Sequence, residues 1–290
     1  MIGTNIKYSF SGHDSFQCRQ QWLKKGYDHK LANRSFHEED AVVYLGVGKN
    51  MVSAIRYWMR AFDLLDNNDN LTELAHRMFA DDGWDPYLED EASLWLLHYH
   101  LIKKSIASSY NLIFNELRRE RIEFSRSNFI AFVKRKAEAN PFIVNENTIG
   151  DDFGVLLKMY IRTNAQQKDT EDSFSGIFTE LNLLSHKGKR DEDFYAVENS
   201  EKKEIPEEII FYSILDNAGE SSSINLTNIE QDPGQAGAVF AINRTGLTTK
   251  IQDIAKKYPE VVFSDHAGVR ELQFKQLNDP FEILARYYAN

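Results

Sequence analysis

The chain has 290 residues, of which 42% are hydrophobic and 12% aromatic, so it can bury a sizeable core. Its single cysteine, Cys18, excludes a disulfide framework and a cysteine-based zinc site. No apolar run approaches the roughly 20 residues that span a bilayer, and the N-terminus lacks the apolar core of a signal peptide. We therefore expect a globular, cytoplasmic protein that makes no membrane contact.

The net charge of −10 is unevenly distributed along the chain. Residues 17–60 contain eight Lys and Arg against four Asp and Glu, and residues 102–136 contain nine against three. Residues 61–93, between them, contain ten acids and one base, Arg77. Such segregation allows an acidic chain to present basic faces to a polyanion. Ordinary solvated helix faces remain the alternative, above all for the second basic cluster.

A helix-turn-helix is predicted between about residues 35 and 65. Ser35 and Glu38 have the spacing of a capping box, and Gly46 and Gly48 mark a tight turn after a short helix. From Asn50 onward, apolar residues recur at steps of three and four and form one inner stripe. A polar and basic stripe opposite it predicts a DNA-contacting face. The candidate DNA-binding residues, including two lysines from the preceding segment, are Lys24, Lys25, Lys49, Asn50, Ser53, Arg56, Tyr57 and Arg60. A helix-turn-helix that serves only for packing is the alternative.

The stretch LGVGKNM (45–51) begins like a nucleotide-binding loop. A phosphate loop needs four residues between its first glycine and the Gly-Lys pair, and a Ser or Thr after the lysine. Here one residue separates the two glycines, and Asn50 follows the lysine. The spacing therefore argues against a nucleotide site.

The remaining elements predict a mainly α fold with small β wings. KGKRDEDFYAVENSEKKE (187–204) is polar enough for an exposed hairpin or a mobile loop. LTTKIQDIAKKYP predicts a helix, and VVFSDHAGVRELQF after it predicts a hairpin. The order of a helix followed by a hairpin is typical of a winged helix, and Arg244, Lys250, Lys256 and Lys257 predict a basic surface on it. We predict an N-terminal winged helix-turn-helix over 1–83, a helical domain over 84–185 and a C-terminal winged-helix-like module over 186–290.

No sequence-local catalytic signature is present, so the candidate catalytic and metal-binding residues are scattered. Asp151, Asp152, Glu171 and Asp172 form two acidic pairs that could together hold Mg²⁺, which prefers oxygen ligands. Acids at a helix start are also explained as helix caps. In the segment SGHDSFQCRQQWLKK (11–25), His13 could act as a general base toward a phosphodiester. Arg19 could then stabilise the charge that develops on phosphorus. Capping of a helix by His13, or its packing under a tryptophan, is the alternative.

Several motifs together resemble a known family. They are GHDSF (12–16), WLKKGYD (22–28), LGVGKNM (45–51), GWDPYLED (83–90) and LWLLH (94–98). This combination resembles the SspB-like family of bacterial DNA-nicking proteins, and the likeness extends over nearly the whole chain. Genes of this family lie beside those for sulfur-transfer enzymes in DNA phosphorothioation and phage-defence clusters. Where the family often has His-Glu-Thr-Phe, this chain has His-Asp-Ser-Phe, in which the carboxylate side chain is one methylene shorter.

The resemblance implies double-stranded DNA as the substrate and an Mg²⁺-dependent cut in one strand. It also implies sulfur-transfer and ATPase proteins of a phosphorothioation complex as partners. It does not identify the nicking residues. The absence of a compact nuclease signature supports a different hypothesis, a non-catalytic winged-helix DNA-recognition or scaffold subunit that recruits a sulfurtransferase or nuclease.

Overall fold

The structure is a computed structural model that describes residues 8–139, 142, 145–162, 176–189, 191–266, 268–276 and 279–289. The chain divides into two compact units, Met1–Val197 and Glu198–Asn290. Within the described residues, no helix is long and apolar enough to cross a bilayer.

The first unit is mainly helical. Its α-helices are α1 (Gln20–Leu31), α2 (Ala41–Leu45), α3 (Lys49–Ala61), α4 (Glu73–Phe79), α5 (Glu91–Lys104), α6 (Ser108–Leu112), α7 (Arg118–Glu120), α8 (Arg126–Ala139) and α9 (Glu146–Tyr160). A π-helical turn, Ile113–Leu117, joins α6 to α7. Polar side chains cap the starts of α4, α5 and α9, where the first backbone N–H groups lack partners within the helix; the capping residues are Thr72, Asp90 and Asn145.

The core of the first unit surrounds α5. Every residue of this helix from Ala92 to Ile102 is buried, which includes His98 and His100. His98 Nδ1 lies 2.8 Å from the Tyr160 hydroxyl, and His100 Nδ1 lies 3.4 Å from an Asp63 carboxylate oxygen. Both histidines are thus enclosed in the core of the first unit, His98 by a hydrogen bond to Tyr160 and His100 beside the Asp63 carboxylate, which indicates a structural role.

Three short strands form an antiparallel sheet in the first unit. They are β1 (Phe124–Ser125), β2 (Leu184–Lys189) and β3 (Asp193–Val197), in the order β1-β3-β2. The β2–β3 hairpin confirms that part of the polar 187–204 segment is a hairpin.

The predicted helix-turn-helix is present, but its expected wing is not. Gly46 adopts a left-handed φ of 65° between α2 and α3, and Val52, Ile55 and Met59 are buried. Among residues 8–83 the structure has α1 to α4 and an isolated bridge between Leu65 and Leu71, without a β-hairpin. The prediction of a wing at this place was wrong.

The second unit combines helices with another antiparallel sheet. Its elements are α10 (Glu207–Ala218), β4 (Ser223–Asn225), α11 (Leu226–Gln231), α12 (Ala236–Val239), α13 (Arg244–Lys257), β5 (Val261–His266), β6 (Val269–Phe274) and α14 (Pro280–Tyr288). The strand order is β4-β6-β5. The predicted helix and hairpin near the C-terminus are therefore confirmed as α13 and β5–β6.

One order of elements occurs twice in the chain. The order is a helical segment, a short strand, two or three helices and then a β-hairpin. It extends from α6 to β3 in the first unit and from α10 to β6 in the second. In both sheets the short first strand pairs with the last strand of the hairpin. The predicted boundaries after residues 83 and 185 both lie inside the first unit, and the second of them lies within β2.

Candidate functional site

The GHDSF segment forms a tight loop around a buried histidine. Ser11, Asp14 and Ser15 have φ values of 75°, 47° and 66°, a region that residues other than glycine rarely adopt. The side chain of His13 is 1% exposed, and its Nδ1 accepts a hydrogen bond of 3.1 Å from the Ser15 N–H. Because Nδ1 is an acceptor, Nε2 carries the ring proton and donates it to Asp152 Oδ1 at 2.5 Å.

Asp152 belongs to α9 and points into the protein. Its Oδ1 also accepts the Ser11 N–H at 3.2 Å, and its Oδ2 accepts the Ser109 hydroxyl. The carboxylate is 2% exposed, and each oxygen has a donor. The structure therefore leaves neither His13 nor Asp152 facing solvent: both His13 nitrogens are engaged, and Asp152 holds the GHDSF loop onto α9. The roles of His13 as a general base and of Asp152 as a metal ligand stay predictions, and in this structure the two side chains are engaged with each other.

Aromatic rings surround His13. Its ring stacks on Trp58 at 5.6 Å and 7°, and it meets the edge of Tyr57 at 5.7 Å. A Cβ on Gly12 would lie 2.4 Å from the Tyr57 ring, so the motif requires a glycine there. Burial raises the pKa of Tyr57 well above its ordinary value, and its hydroxyl has no partner among the described residues. Tyr57 is therefore half-buried, and its hydroxyl is enclosed by the protein.

The basic residues expected to contact DNA are mostly held by the protein itself. Arg56 forms an ion pair of 2.7 Å with Asp69, and Arg60 Nη2 lies 3.4 Å from the Asn67 side-chain oxygen. The two lysines of α1 are also engaged. Lys24 pairs with Asp28 at 2.8 Å, and Lys25 donates to the Leu45 carbonyl at 3.3 Å. Lys49, Asn50 and Ser53 remain exposed. On α3, Arg56 is thus neutralised by a carboxylate, whereas Arg60 contacts a neutral amide and Lys49 stays exposed.

Asp151, next to the buried Asp152, faces the opposite way and lines a cleft of about 810 Å³. Helix α9 forms the floor of this cleft, the tip of the β2–β3 hairpin forms one wall, and the start of α8 forms another. We call it the α9 cleft. Its polar and glycine lining residues are Ser15, Arg126, Gly150, Asp151, Gly154, Lys158, Lys189, Asp191, Glu192, Asp193 and Tyr195. Arg19 instead lines a separate cleft of about 980 Å³ between α1 and the Gly46–Gly48 turn.

Most charges in the α9 cleft have partners. Arg126 lies across Gly150 and forms an ion pair of 3.4 Å with Asp151, and Asp193 lies 2.9 Å from His186 Nε2. Lys158 and Lys189 are exposed, and neither has an ion-pair or hydrogen-bond partner among the described residues. Among the described residues, these two lysines are therefore the cations of the cleft that are left without a partner.

Glu192 fixes the hairpin tip to the start of α8. Its carboxylate accepts the Ser125 hydroxyl at 2.6 Å, the Ser127 hydroxyl, and the Ser127 N–H at 3.3 Å. Burial alone would raise the pKa of Glu192, but these hydrogen bonds outweigh it and lower the pKa. An anion is favourable at a helix start, so Glu192 sets the position of the hairpin relative to the start of α8.

The predicted Mg²⁺ ligands do not come together among the described residues. Glu171 and Asp172 lie outside the described part of the chain, and Asp152 is buried, which leaves Asp151 in the α9 cleft. Within the described ranges, no group of three His, Cys, Asp or Glu side chains is placed to hold a metal ion.

Gly154 gives the cleft a floor without a side chain. A Cβ built on it would meet nothing within 4 Å, although the residue lies in the middle of α9. We expect Gly154→Ala to raise the free energy of unfolding by about 0.5–1 kcal/mol, because alanine restricts the unfolded chain and favours helix. Urea unfolding followed by circular dichroism measures this change. A lower stability would mean that another part of the protein covers this face.

The sequence contained a weak signal for the cleft. GDDFG (150–154) places two glycines four residues apart on one helical face, and Ser125 and Ser127 bracket an arginine at the start of α8. Neither pattern indicates a partner by itself, because the hairpin that closes the cleft is more than 25 residues further along the chain.

The chain is thus a mainly helical protein with two small antiparallel sheets. Its first unit contains a buried His–Asp pair and an open polar cleft along α9. A family model described as a protein of unknown function, DUF4007, matches residues 10–288. Among solved structures, a magnesium ion-bound SspB crystal structure has a TM-score of 0.87 and 31% identity, and the match covers 98% of this chain and 89% of that chain. Another SspB crystal structure has a TM-score of 0.86 with the same identity and coverage. A search of the curated proteins finds no significant match.

The chain belongs to the DUF4007 family and is SspB-like. The resemblance inferred from the sequence motifs is confirmed.

Proposed function

We propose that this protein is the DNA-nicking component of a phosphorothioation-based phage-defence system and that its activity depends on Mg²⁺. The observation that carries the proposal is the match to SspB over 98% of the chain at 31% identity, together with the magnesium ion bound in one of those SspB structures. Double-stranded DNA is the substrate in this proposal. Sulfur-transfer and ATPase proteins of the same system are its partners.

The repeated order of elements supports a DNA-binding architecture. A short strand, a pair of helices and a β-hairpin whose last strand pairs with the short strand are the parts of a winged helix, found here from α6 to β3 and from α10 to β6. We therefore place one winged-helix-like module in the first unit and one in the second. The first of them lies where the sequence predicted a purely helical domain.

Part of the α9 cleft is compatible with Mg²⁺. Proteins that act on phosphates often hold this ion by one or two carboxylates together with oxygens of the substrate. The exposed carboxylates of Asp151 and Asp191 line the cleft and could take this role, whereas the buried Asp152 could not. When bound, Mg²⁺ would neutralise charge on the phosphate that is cut. Arg126 and Lys158 would hold further phosphate oxygens.

A plasmid-relaxation assay tests the proposal. Purified protein should convert supercoiled plasmid to the open circle in Mg²⁺, should not do so in EDTA, and should regain the activity when Mg²⁺ is added in excess. Asp151→Asn should reduce the rate at least tenfold, whereas the exposed acid Glu220 of the second unit serves as the matched control, Glu220→Gln. Plasmid that stays supercoiled under all conditions, with the partner proteins also present, would refute the nicking activity.

One observation favours the alternative, a DNA-recognition or scaffold subunit that cuts nothing. His13, predicted from the sequence as a general base, and Asp152, predicted as a metal ligand, are both buried and hydrogen-bonded to each other. This alternative predicts a salt-sensitive shift of duplex DNA without any relaxation of plasmid.

A further inference from the structure

We infer that duplex DNA binds to the first unit across the α9 cleft, on α9 and the β2–β3 hairpin, and not on α3. The inference rests on the proposed DNA-binding function and assigns it to a surface. It starts from the position of α9, which follows α8 in the helix pair of the α6-to-β3 module. In helix-turn-helix proteins, the second helix of the pair is the one that enters the major groove.

A helix that enters a DNA groove needs a buried apolar side and an exposed polar side, and α9 has both. Ile149, Asp152, Phe153 and Leu156 are buried on its inner side. The outer side carries Asn147, Asp151, Gly154 and Lys158 at steps of three and four, which places them on one stripe. At Gly154 nothing lies within 4 Å of where a Cβ would be, so a phosphate backbone can approach the helix backbone there.

Two lysines without a partner among the described residues lie at the α9 cleft, whereas α3 carries one, Lys49. Lys158 on α9 and Lys189 on the hairpin are exposed and have no acidic partner among the described residues. On α3, by contrast, Arg56 is neutralised by Asp69 at 2.7 Å. A cation that is already paired gains less from a phosphate, because it must first give up its own carboxylate.

Most acids of the cleft are held in place by groups of the first unit. The carboxylate of Glu192 is used by Ser125 and Ser127, and that of Asp193 lies 2.9 Å from His186. Asp151 faces Arg126 at 3.4 Å. Asp191 alone among the acids lining the cleft is left without a partner in the described residues, against two unpaired lysines.

Helix α13 of the second unit has the position in its module that α9 has in the first, but the cations predicted for its surface have partners. All four cations that the sequence predicted as its basic surface are engaged within that unit: Arg244 with Glu230 at 3.2 Å, Lys250 with the Lys203 carbonyl at 3.0 Å, Lys256 with Asp253 at 2.9 Å, and Lys257 with Glu207 at 3.2 Å. The α9 module is therefore the better duplex-binding surface of the two.

The test is the salt dependence of binding to a fluorescent duplex, measured by anisotropy on the full chain without Mg²⁺, so that cutting does not interfere. Lys158→Gln and Lys189→Gln should each weaken binding and reduce the slope of log K against log salt by about one, and the double variant by about two. Lys49→Gln is the matched control, because Lys49 is an exposed lysine on α3 without a partner among the described residues. The slope of log K against log salt for Lys49→Gln should equal that of the wild type.

A second variant tests the surface by shape and not by charge. Gly154→Trp adds a large side chain where a Cβ would meet nothing within 4 Å. We expect it to weaken duplex binding more than tenfold while circular dichroism stays unchanged, which serves as the check that the fold is intact. Wild-type slopes in both lysine variants, with a reduced slope in Lys49→Gln, would overturn the inference and assign the duplex to α3. Failure of the wild type to bind any duplex would overturn the proposed DNA binding itself, and this inference with it.

Discussion

Replacing His13 with alanine should lower the free energy of unfolding by about 3–5 kcal/mol. The change removes the Nε2–H donor that lies 2.5 Å from Asp152 Oδ1 and leaves a buried carboxylate without its main partner. It also removes the ring that stacks on Trp58 and the acceptor for the Ser15 N–H. The loop Ser11–Phe16, with its three left-handed residues, then loses the contacts that hold it in shape. Urea unfolding at constant pH measures the effect.

Asp152→Asn is the matched control for His13→Ala. The amide keeps the size of the carboxylate, its oxygen still accepts from His13, and no charge is left buried. We expect it to cost about 1–2 kcal/mol, clearly less than His13→Ala. Equal losses in the two variants would contradict the argument that an unpaired buried charge causes the damage.

Gly246→Ala should lower the free energy of unfolding by about 3 kcal/mol or more. Gly246 lies in the first turn of α13, and a Cβ there would be 2.1 Å from the carbonyl oxygen and 2.6 Å from the carbonyl carbon of Glu201. These are backbone atoms, so no side-chain rotation relieves the clash. The start of α13 and the segment before α10 must therefore separate.

Gly154→Ala is the natural comparison, because both variants add one methyl group to a glycine within a helix. We expect the free energy of unfolding to change in opposite directions. It should fall in Gly246→Ala, because backbone atoms fill the space beside Gly246, and rise in Gly154→Ala, because nothing lies beside Gly154. Thermal unfolding of the two variants side by side measures the difference. A gain in both would show that the segment around Glu201 yields easily.

Local patterns in the sequence were sufficient to predict many of the elements. The apolar steps of Val52, Ile55 and Met59 predicted the inner face of α3, and the Gly46 turn and the C-terminal hairpin were also found where expected. These features depend on neighbours within a few residues, which periodicity and turn chemistry describe directly.

The candidate site could not be predicted in the same way, because its contacts join distant parts of the chain. His13 and Asp152 are 139 positions apart, and nothing in GHDSF indicates that its histidine turns inward to meet α9. Arg56 and Asp69 are 13 positions apart, so the basic stripe of α3 was visible in the sequence while its neutralisation was not. Charge counts measure composition, whereas only the fold determines which opposite charges meet.

Cys18 makes the junction between the GHDSF loop and α9 measurable. Its thiol is fully buried, burial raises the pKa of the sulfur, and its N–H donates to Met159 Sδ on α9 at 3.2 Å. An aqueous thiol reagent can therefore modify this protein only during moments when the loop lifts away from the helix. Because no second cysteine competes for the reagent, the rate of labelling reports how often that junction opens.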